Sequence, residues 1–338
     1  MSFPRRRLIV TRDVARPTGS TVAGADPAAW NRGLAAVSSP VPLTQSWGWG
    51  EVQARAGWHV NALWLPSPVL VLTQGVAPLR WAFVPRGPAG CEARVLEALV
   101  DWARANRLAR LRVEPELEPS SRRLLETAGF ERSADVQPSH TRIMALGSED
   151  DMLASFRRST RYNIRHAERS GVIVDEGVDA AELARQVHAS AARAGINLPG
   201  RHHLDLILQA IPDTRTFVAS HDGEPLCALM VAVHDRRGYY LFSGSNGRKR
   251  NLKAMDLAMW HGIRYAARMG CSDYDMWGIA PDSDPRHPWH GFTEFKRGYG
   301  GSEVEYVGTW DLKLSAPAAF AIDLEQRALK TIRRLRRR

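Results

Sequence analysis

The chain has 338 residues, of which 44% are hydrophobic and 24% are charged. This length suggests two domains, and the composition is typical of a globular protein with a substantial core. The sequence has no apolar stretch of transmembrane length. The basic residues 5–7 precede an apolar run too short for a signal peptide, so a cytoplasmic location is predicted. Cys91, Cys227 and Cys271 lie far apart, which argues against a disulfide framework or a paired-cysteine metal site.

The formal net charge is +10, and six of these ten excess positive charges fall between residues 330 and 338. A basic run without acids favours a phosphate-rich partner, either a nucleic acid or an anionic membrane surface. Cations also suit the negative end of a helix dipole, so a solvated helix end explains the same residues. The composition leaves both interpretations open.

The predicted elements follow the same order twice. In the first half, short β-branched or aromatic runs predict three strands, followed by a helix, a strand and a second helix. These elements are strands 58–65, 69–73 and 79–84, helix 92–106, strand 108–113 and helix 120–128. The second half repeats them as strands 216–220, 226–234 and 239–243, helix 254–269, strand 273–279 and helix 291–297. The period is too long for a solenoid, so it predicts two copies of one α/β domain.

We place the first domain at residues 1–146 and the second at residues 147–312. The helix at this boundary begins near Ser148, which forms a capping-box pattern with Asp151, and it ends at Gly171. The amphipathic segment 313–338 is expected to pack back on the first domain with its arginines exposed.

Basic and aromatic side chains recur at helical spacing after this capping box. A row of guanidinium groups can engage several phosphates, because each presents a planar fork of donors. The alternative is an ordinary solvated face relieved by Glu168. The residues of this face are Arg158, Arg161 or Tyr162, Arg165 and Arg169.

Two further segments carry candidate chemistry. In the strand that begins at residue 273, alternation places Asp275 and Trp277 on one face, followed by glycine and proline. Such a strand end suits the mouth of an α/β cleft, although a capped loop explains it equally well. Lys296 follows Phe295 on a short helix that enters a glycine-rich turn, where backbone can approach a ligand closely.

Several chemistries are disfavoured by the sequence. His202 and His203 are adjacent, and His287 and His290 have no third ligand at a suitable spacing, so no metal site is predicted. The sequence has neither a Gly-x-Ser-x-Gly elbow nor a phosphate-binding loop of the Gly-x-x-x-x-Gly-Lys-Ser/Thr type. Hydrolase and nucleotide-kinase functions are therefore disfavoured.

Taken together, five segments resemble the FemABX family of aminoacyl-tRNA-dependent transferases that form peptidoglycan bridges. The resemblance extends over roughly residues 40–312. Its most specific part is the Arg-Tyr-Asn-Ile-Arg helix. The matching segments are 45–50, 84–88, 160–172, 274–279 and 295–301.

The resemblance implies a pair of acetyltransferase-like (GNAT-type) α/β domains without the coiled-coil arm of some relatives. It also implies transfer of an amino acid from aminoacyl-tRNA to the side-chain amine of the stem peptide of a lipid-linked or UDP-linked peptidoglycan precursor. Aminoacyl-tRNA would be a co-substrate, no cofactor is expected, and a monomer is expected. The basic C-terminus would contact tRNA or the membrane that carries the precursor.

The same resemblance implies roles for individual residues. Lys296 would stabilise the oxyanion of the reacting ester, Glu114 matches a position that often carries an acid, and Arg201 would bind the precursor's diphosphate. Gln53 stands where members often carry a phosphate-binding lysine, and Asp205 where an aromatic residue is expected. The implied substrate-binding residues are Trp49, Gln53, Arg161, Tyr162, Arg165, Arg201, Asn246, Asp275, Trp277 and Phe295.

Three other functions stay open at this point. An acetyl-CoA-dependent N-acetyltransferase would share the domain type, but neither 86–91 nor 250–255 supplies its pyrophosphate loop. A non-catalytic protein that binds RNA or a membrane surface would explain the charge without using the motifs around Trp277 and Lys296. Transfer of aminoacyl groups to a natural-product peptide cannot be separated from the leading hypothesis by sequence.

Overall fold

A computed structural model describes residues 26–194, 199–281 and 285–335, and the chain forms two mixed β-sheets within these ranges. The mixed α/β fold predicted from the sequence is confirmed. None of the helices in the described part of the chain is long and apolar enough to cross a membrane.

The first sheet has six strands, and only its β3–β4 pair is parallel. In spatial order the strands are β1 (His59–Trp64), β2 (Pro68–Gln74), β3 (Trp81–Val84), β4 (Arg110–Val113), β13 (Trp310–Lys313) and β5 (Glu131–Arg132). The accompanying helices are α1 (Pro27–Ala35), α2 (Trp47–Arg55), α3 (Ala93–Ala105) and α4 (Arg122–Thr127).

The second sheet has seven strands, and only its β10–β11 pair is parallel. In spatial order they are β12 (Ser302–Glu305), β6 (His140–Ala145), β11 (Asp273–Gly278), β10 (Arg237–Ser245), β9 (Glu224–His234), β8 (Arg215–His221) and β7 (Ile173–Gly177). The accompanying helices are α5 (Glu149–Ser155), α6 (Arg158–Arg169), α7 (Ala181–Ala194), α8 (Arg201–Ala210), α9 (Ala254–Arg268) and α10 (His290–Arg297).

The internal repeat is visible in the topology of the two sheets. In each sheet, three antiparallel strands are followed in the chain by a helix and then by a strand that pairs parallel to the third. A further strand pairs antiparallel to the other edge of that parallel strand. The parallel pairs need a crossover helix, which is α3 in the first sheet and α9 in the second. The repeat predicted from strand spacing therefore corresponds to two similarly connected sheets.

The strand pairing divides the chain at different positions from the predicted boundary between residues 146 and 147. Strand β6 precedes that boundary but pairs with β11 and β12 of the second sheet. Strand β13 returns to the first sheet, where Trp310 pairs with Val113 and Arg132. The chain thus crosses between the sheets once before β6 and once before β13.

Helices cover both faces of the second sheet. Helices α6 and α9 pack on one face around Phe156, Ile164 and Trp260. Helices α7 and α8 pack on the other, and Val52 of α2 joins that core. Helices α2 and α8 approach closely, since a β-carbon at Gly48 would lie 2.4 Å from the Ala210 carbonyl oxygen. The two halves are therefore held together by a shared apolar core.

The last helix, α11 (Ala316–Leu335), begins against the first sheet. Ala318 and Ile322 pack with Ala109, and Asp323 forms an ion pair with buried Arg110. The structure does not describe the basic side chains for which a phosphate-rich partner was one of two interpretations, at Lys330, Arg333, Arg334, Arg336, Arg337 and Arg338.

Candidate active site

A cavity of about 140 Å³ lies where strands β10 and β11 diverge. The two strands pair only from Arg237 to Tyr239 on β10 and from Asp273 to Asp275 on β11. Beyond these pairs, the register of β10 against β9 and of β11 against β6 is interrupted. The gap is lined by Pro138, Tyr240, Leu241, Trp277, Gly278, Trp289, Phe292 and Lys296.

Lys296 is the charged side chain in this aromatic cavity. Helix α10 carries it inward, so that it is only 1% exposed. Its Nζ donates hydrogen bonds to the carbonyl oxygens of Gly278 at 2.6 Å and Trp277 at 3.2 Å. The Phe292 ring centroid lies 3.8 Å from Nζ, and the Tyr240 centroid lies 5.4 Å away. The amine is thus held between two carbonyls and the face of an aromatic ring.

Burial and a nearby carboxylate act on the charge of Lys296 in opposite directions. Burial lowers the pKa of Lys296 well below its ordinary value, and the charge of Asp275 partly opposes this shift. An ammonium has three N–H donors. Two are accounted for by the carbonyls of Trp277 and Gly278, which leaves one for an acceptor in the cavity.

Asp275 fixes the backbone that presents those two carbonyls. Its buried carboxylate accepts hydrogen bonds from the Trp277 backbone N–H at 2.7 Å and from the Thr141 hydroxyl. Trp277 adopts a left-handed conformation with φ of 60°, which is strained for a residue with a β-carbon. The carboxylate therefore stabilises the turn that aims consecutive carbonyl oxygens at Lys296.

Pro138 forms part of the cavity wall, next to Gly278. A β-carbon at Gly278 would lie 2.4 Å from the Pro138 side chain, so the two residues are in close contact. The Arg86 guanidinium donates to the Pro138 carbonyl oxygen at 2.7 Å, and it lies 5.6 Å from the Trp277 ring centroid. Arg86 belongs to the first half of the chain, so both halves contribute to this site.

Glu114 lies behind this wall and does not line the cavity. It is 3% exposed, and burial raises the pKa of its carboxyl group. Its Oε1 accepts hydrogen bonds from the backbone N–H groups of Gln137 at 3.0 Å and Val136 at 3.3 Å, and from the Thr309 hydroxyl. Glu114 thus anchors the segment that leads to Pro138.

Residues 200–325, which include β10, β11 and α10, match the model of the FemAB family. The chain is also similar to the aminoacyltransferase FemA of Staphylococcus epidermidis, with 27% identity over 34% of this chain and 28% of that protein. These matches agree with the motifs named above. Residues 200–325 of the chain therefore carry a FemAB family domain.

Two more relatives define the extent of the similarity. The lipid II:glycine glycyltransferase of Staphylococcus saprophyticus is 28% identical over 32% of this chain and 26% of its own length. The aligned part thus spans less than a third of either staphylococcal relative. The crystal structure of FemX superposes with a TM-score of 0.78 at 18% identity, covering 88% of this chain and 98% of FemX. The FemX architecture therefore extends through both halves of the chain.

The side chains of the predicted arginine face do not all lie on one surface. Arg161 turns back onto the end of α5, where its guanidinium donates to the carbonyl oxygens of Leu153, Ala154 and Phe156. It caps a helix and does not face solvent with the others. Tyr162 and Arg165 are exposed.

The remaining predicted site residues do not line the cavity, apart from Trp277. Arg201 is 61% exposed and pairs with Asp205 at 3.4 Å and Asp179 at 3.7 Å. Asn246 donates to the Pro225 carbonyl oxygen at 2.8 Å, which fixes the turn after β10. Phe295 packs against Tyr299 in the core.

Trp49 and Gln53 lie on α2, where that helix packs against α8. The Trp49 ring joins the core that Trp277 also contacts, and its buried Nε1 has no hydrogen-bond partner among the described residues. Gln53 is half-buried. Arg55, near the end of the same helix, donates to the Gln209 side chain at 3.2 Å.

Most of the residues that line the cavity carry no recognisable signal in the sequence. Pro138, Tyr240, Leu241, Trp289 and Phe292 are apolar or aromatic residues without a local motif, and Arg86 lies in the matching segment 84–88. The signal that was available is the spacing of Phe292 and Lys296, which places them on adjacent turns of one helix. The described residues contain no group of three side chains able to hold a metal ion.

Proposed function

We propose that this chain transfers an amino acid from aminoacyl-tRNA to the side-chain amine of the stem peptide of a peptidoglycan precursor. The observation that carries the proposal is the buried Lys296 amine in the aromatic cavity between β10 and β11. The cavity is largely formed by the region that matches the FemAB family model. The names of the staphylococcal relatives describe aminoacyl and glycyl transfer, which supports the same reaction class here.

The proposed reaction exchanges an ester for an amide. The acceptor nitrogen forms a bond to the aminoacyl carbonyl carbon, and the bond from that carbon to the ribose oxygen of the tRNA breaks. The nitrogen loses a proton and the ribose oxygen gains one, which regenerates the terminal hydroxyl of the tRNA. Between these steps the carbonyl oxygen carries a negative charge.

Lys296 would stabilise this oxyanion with the N–H that its two carbonyl partners leave free. A fixed cation in a cavity that excludes water is effective because it needs little reorganisation as charge develops. The Phe292 ring lies over Nζ in the free protein. In the proposed mechanism the substrate oxygen takes the place of this weaker ring contact, and the carbonyls of Trp277 and Gly278 keep the amine oriented.

The other predicted residues act in supporting roles in this proposal. Arg201 would bind the precursor's diphosphate by exchanging its partners Asp179 and Asp205 for phosphate oxygens. Glu114 would be a positioning residue that supports the Pro138 wall and does not touch substrate. The setting proposed for a tRNA-dependent reaction is the cytoplasm, with the protein acting as a monomer.

The test is transfer of radiolabelled amino acids from a pool of charged tRNA to purified UDP-linked or lipid-linked pentapeptide precursor. Label on the precursor that is lost after ribonuclease treatment is the expected result. Lys296→Met should abolish transfer, whereas Lys313→Met, which removes a lysine exposed on β13, should retain it. Acetyl transfer from acetyl-CoA without aminoacyl transfer would contradict the proposal, as would full activity of Lys296→Met.

A further inference from the structure

Four side chains on the outer face of α6 stand exposed on successive turns. They are Arg158, Tyr162, Arg165 and Arg169. None of these three arginines forms an ion pair with any residue that the structure describes. The acidic residue of the helix, Glu168, is also exposed and leaves them unneutralised. A row of unpaired guanidinium groups of this kind is suited to binding several phosphates.

A second basic group lies in the turn between β10 and α9. Arg250 and Lys253 are exposed there. The position of a β-carbon at Gly247 would be 3.2 Å from Nη2 of Arg250 and 3.4 Å from Cζ of Arg193 on α7. Two guanidinium groups therefore converge on one point of the surface. Their mutual repulsion would be relieved by an anion bound between them.

The turn and the helix form one continuous surface. The His166 imidazole Nε2 lies 3.1 Å from the Asn251 carbonyl oxygen, which joins α6 to the turn. Asn163 donates to the Asp256 carboxylate at 3.3 Å, which joins α6 to the first turn of α9. We name this surface the basic track. It consists of Arg158, Tyr162, Arg165, Arg169, Arg193, Arg250 and Lys253.

An aromatic pair lies within the basic track. The rings of Tyr162 and His166 are stacked, with centroids 5.8 Å apart and planes inclined by 5°. Tyr162 is 60% exposed. Exposed flat rings between phosphate-binding arginines are the features that bind single-stranded nucleic acid, because bases stack on the rings while the cations contact the backbone. Lipid headgroups offer phosphates but no flat base for such a ring.

We propose that the basic track binds the sugar–phosphate backbone of an RNA, with a base stacked on Tyr162. This inference rests on the proposed function, which requires an RNA-linked donor. The track also begins beside the helix that carries Lys296. The Arg157 backbone N–H donates to the Gly298 carbonyl oxygen at 2.9 Å, and a β-carbon at Gly298 would lie 2.5 Å from the Thr160 hydroxyl oxygen. An RNA on the track therefore runs toward α10.

The test is fluorescence anisotropy with an uncharged RNA hairpin that carries a single-stranded 3′ tail, titrated at several salt concentrations. Arg165→Ala combined with Arg169→Ala should weaken binding roughly tenfold at low salt. It should also reduce the slope of log affinity against log salt by about 1.4, since each phosphate contact to a single strand contributes about 0.7. Tyr162→Ala should weaken binding roughly tenfold without changing the slope.

The matched control is Arg122→Ala combined with Arg123→Ala on α4. It removes the same charge from exposed positions of the first half that form no ion pair with the described part of the chain. This control should leave the salt slope unchanged. An equal loss in the control, or an unchanged slope in the α6 double variant, would overturn the assignment. The proposal would also fail if the α6 variant lost binding only to vesicles of phosphatidylcholine and phosphatidylglycerol.

The same experiment separates this inference from the proposed function. Lys296→Met should bind the hairpin as the unmodified protein does, because the Lys296 side chain is buried in the cavity and is not part of the exposed track. If the protein binds RNA in a salt-dependent way that needs Arg165 and Arg169 but shows no transfer activity, the basic track is supported and the proposed reaction is contradicted. If the variant without both arginines still transfers amino acids with an unchanged KM for tRNA, the basic track is contradicted and the proposed reaction is not.

Discussion

The Lys296 side chain donates to the carbonyl oxygen of Gly278 at 2.6 Å, across the cavity that separates two diverging strands. This contact ties the last helix of the second half to the end of β11. It also places an amine where a polar substrate group would otherwise meet mostly aromatic walls. The chemistry and the packing of the site therefore depend on the same side chain.

Replacing Lys296 by methionine should separate its effect on the rate of transfer from its effect on the stability of the fold. Loss of one oxyanion donor costs on the order of 100- to 1,000-fold in rate, so transfer should fall at least that far. Stability should respond differently, because the lowered pKa means that the folded protein disfavours the charged lysine. Lysine therefore destabilises the fold at neutral pH, and this penalty fades as pH rises toward the ordinary lysine pKa of about 10.4.

Chemical denaturation of both proteins between pH 7 and pH 10 measures this effect. The free energy of unfolding of the unmodified protein should rise relative to that of Lys296→Met as the pH increases. A constant difference across the range would show that burial does not lower the pKa of Lys296.

Replacing Asp275 by asparagine should move the pH dependence of transfer. Asp275 raises the pKa of Lys296 against the effect of burial, so removing its charge should lower that pKa further. If the ammonium form is active, activity will be lost at a lower pH as the solution becomes more alkaline. The measurement is kcat/KM against pH for both proteins, with thermal unfolding to verify the fold. If the alkaline limb of the pH profile stays at the same pH, the charge of Asp275 does not influence the pKa of Lys296.

Gly278 and Gly291 offer a matched pair of glycine-to-alanine substitutions close to the cavity. A β-carbon at Gly278 would lie 2.4 Å from Pro138, whereas one at Gly291 meets nothing within 4 Å. Gly278→Ala should destabilise the protein by about 1–3 kcal/mol through overpacking. Gly291→Ala lies in α10 and should stabilise it by up to about 1 kcal/mol. Urea denaturation measures both changes in the free energy of unfolding. Equal changes for the two variants would mean that Pro138 shifts to accommodate the added methyl group at little cost.

Arg201→Ala should act on precursor binding and leave stability unchanged. Its guanidinium is 61% exposed, and its pairs with Asp179 and Asp205 are of the surface type that contributes little to stability. Steady-state kinetics should show a higher KM for the precursor with a smaller change in kcat. A fall in kcat at constant KM would assign Arg201 a role other than binding the diphosphate.

The repeat and most elements of the second half were predictable because local periodicity encodes them. The predicted helix 254–269 and strand 273–279 correspond to α9 and β11. The partners of β6 and β13 were not predictable, since strand pairing depends on contacts between residues distant in sequence. The different environments of Arg161 and Arg165 were unpredictable for the same reason. Helical spacing does not reveal that Arg161 donates hydrogen bonds to the carbonyl oxygens at the end of α5.

The exchange of strands between the two sheets has a consequence for any attempt to divide the protein. Strand β6 lies between β12 and β11, and β13 lies between β4 and β5, so each is an interior strand of its sheet. A fragment that starts at residue 147 would leave two neighbours of β6 with unpaired edges, which invites aggregation. A fragment that ends at residue 146 would leave β4 and β5 without the strand that joins them. The halves resemble each other as repeats, yet neither is a severable module, and a single cut in the chain cannot release one intact.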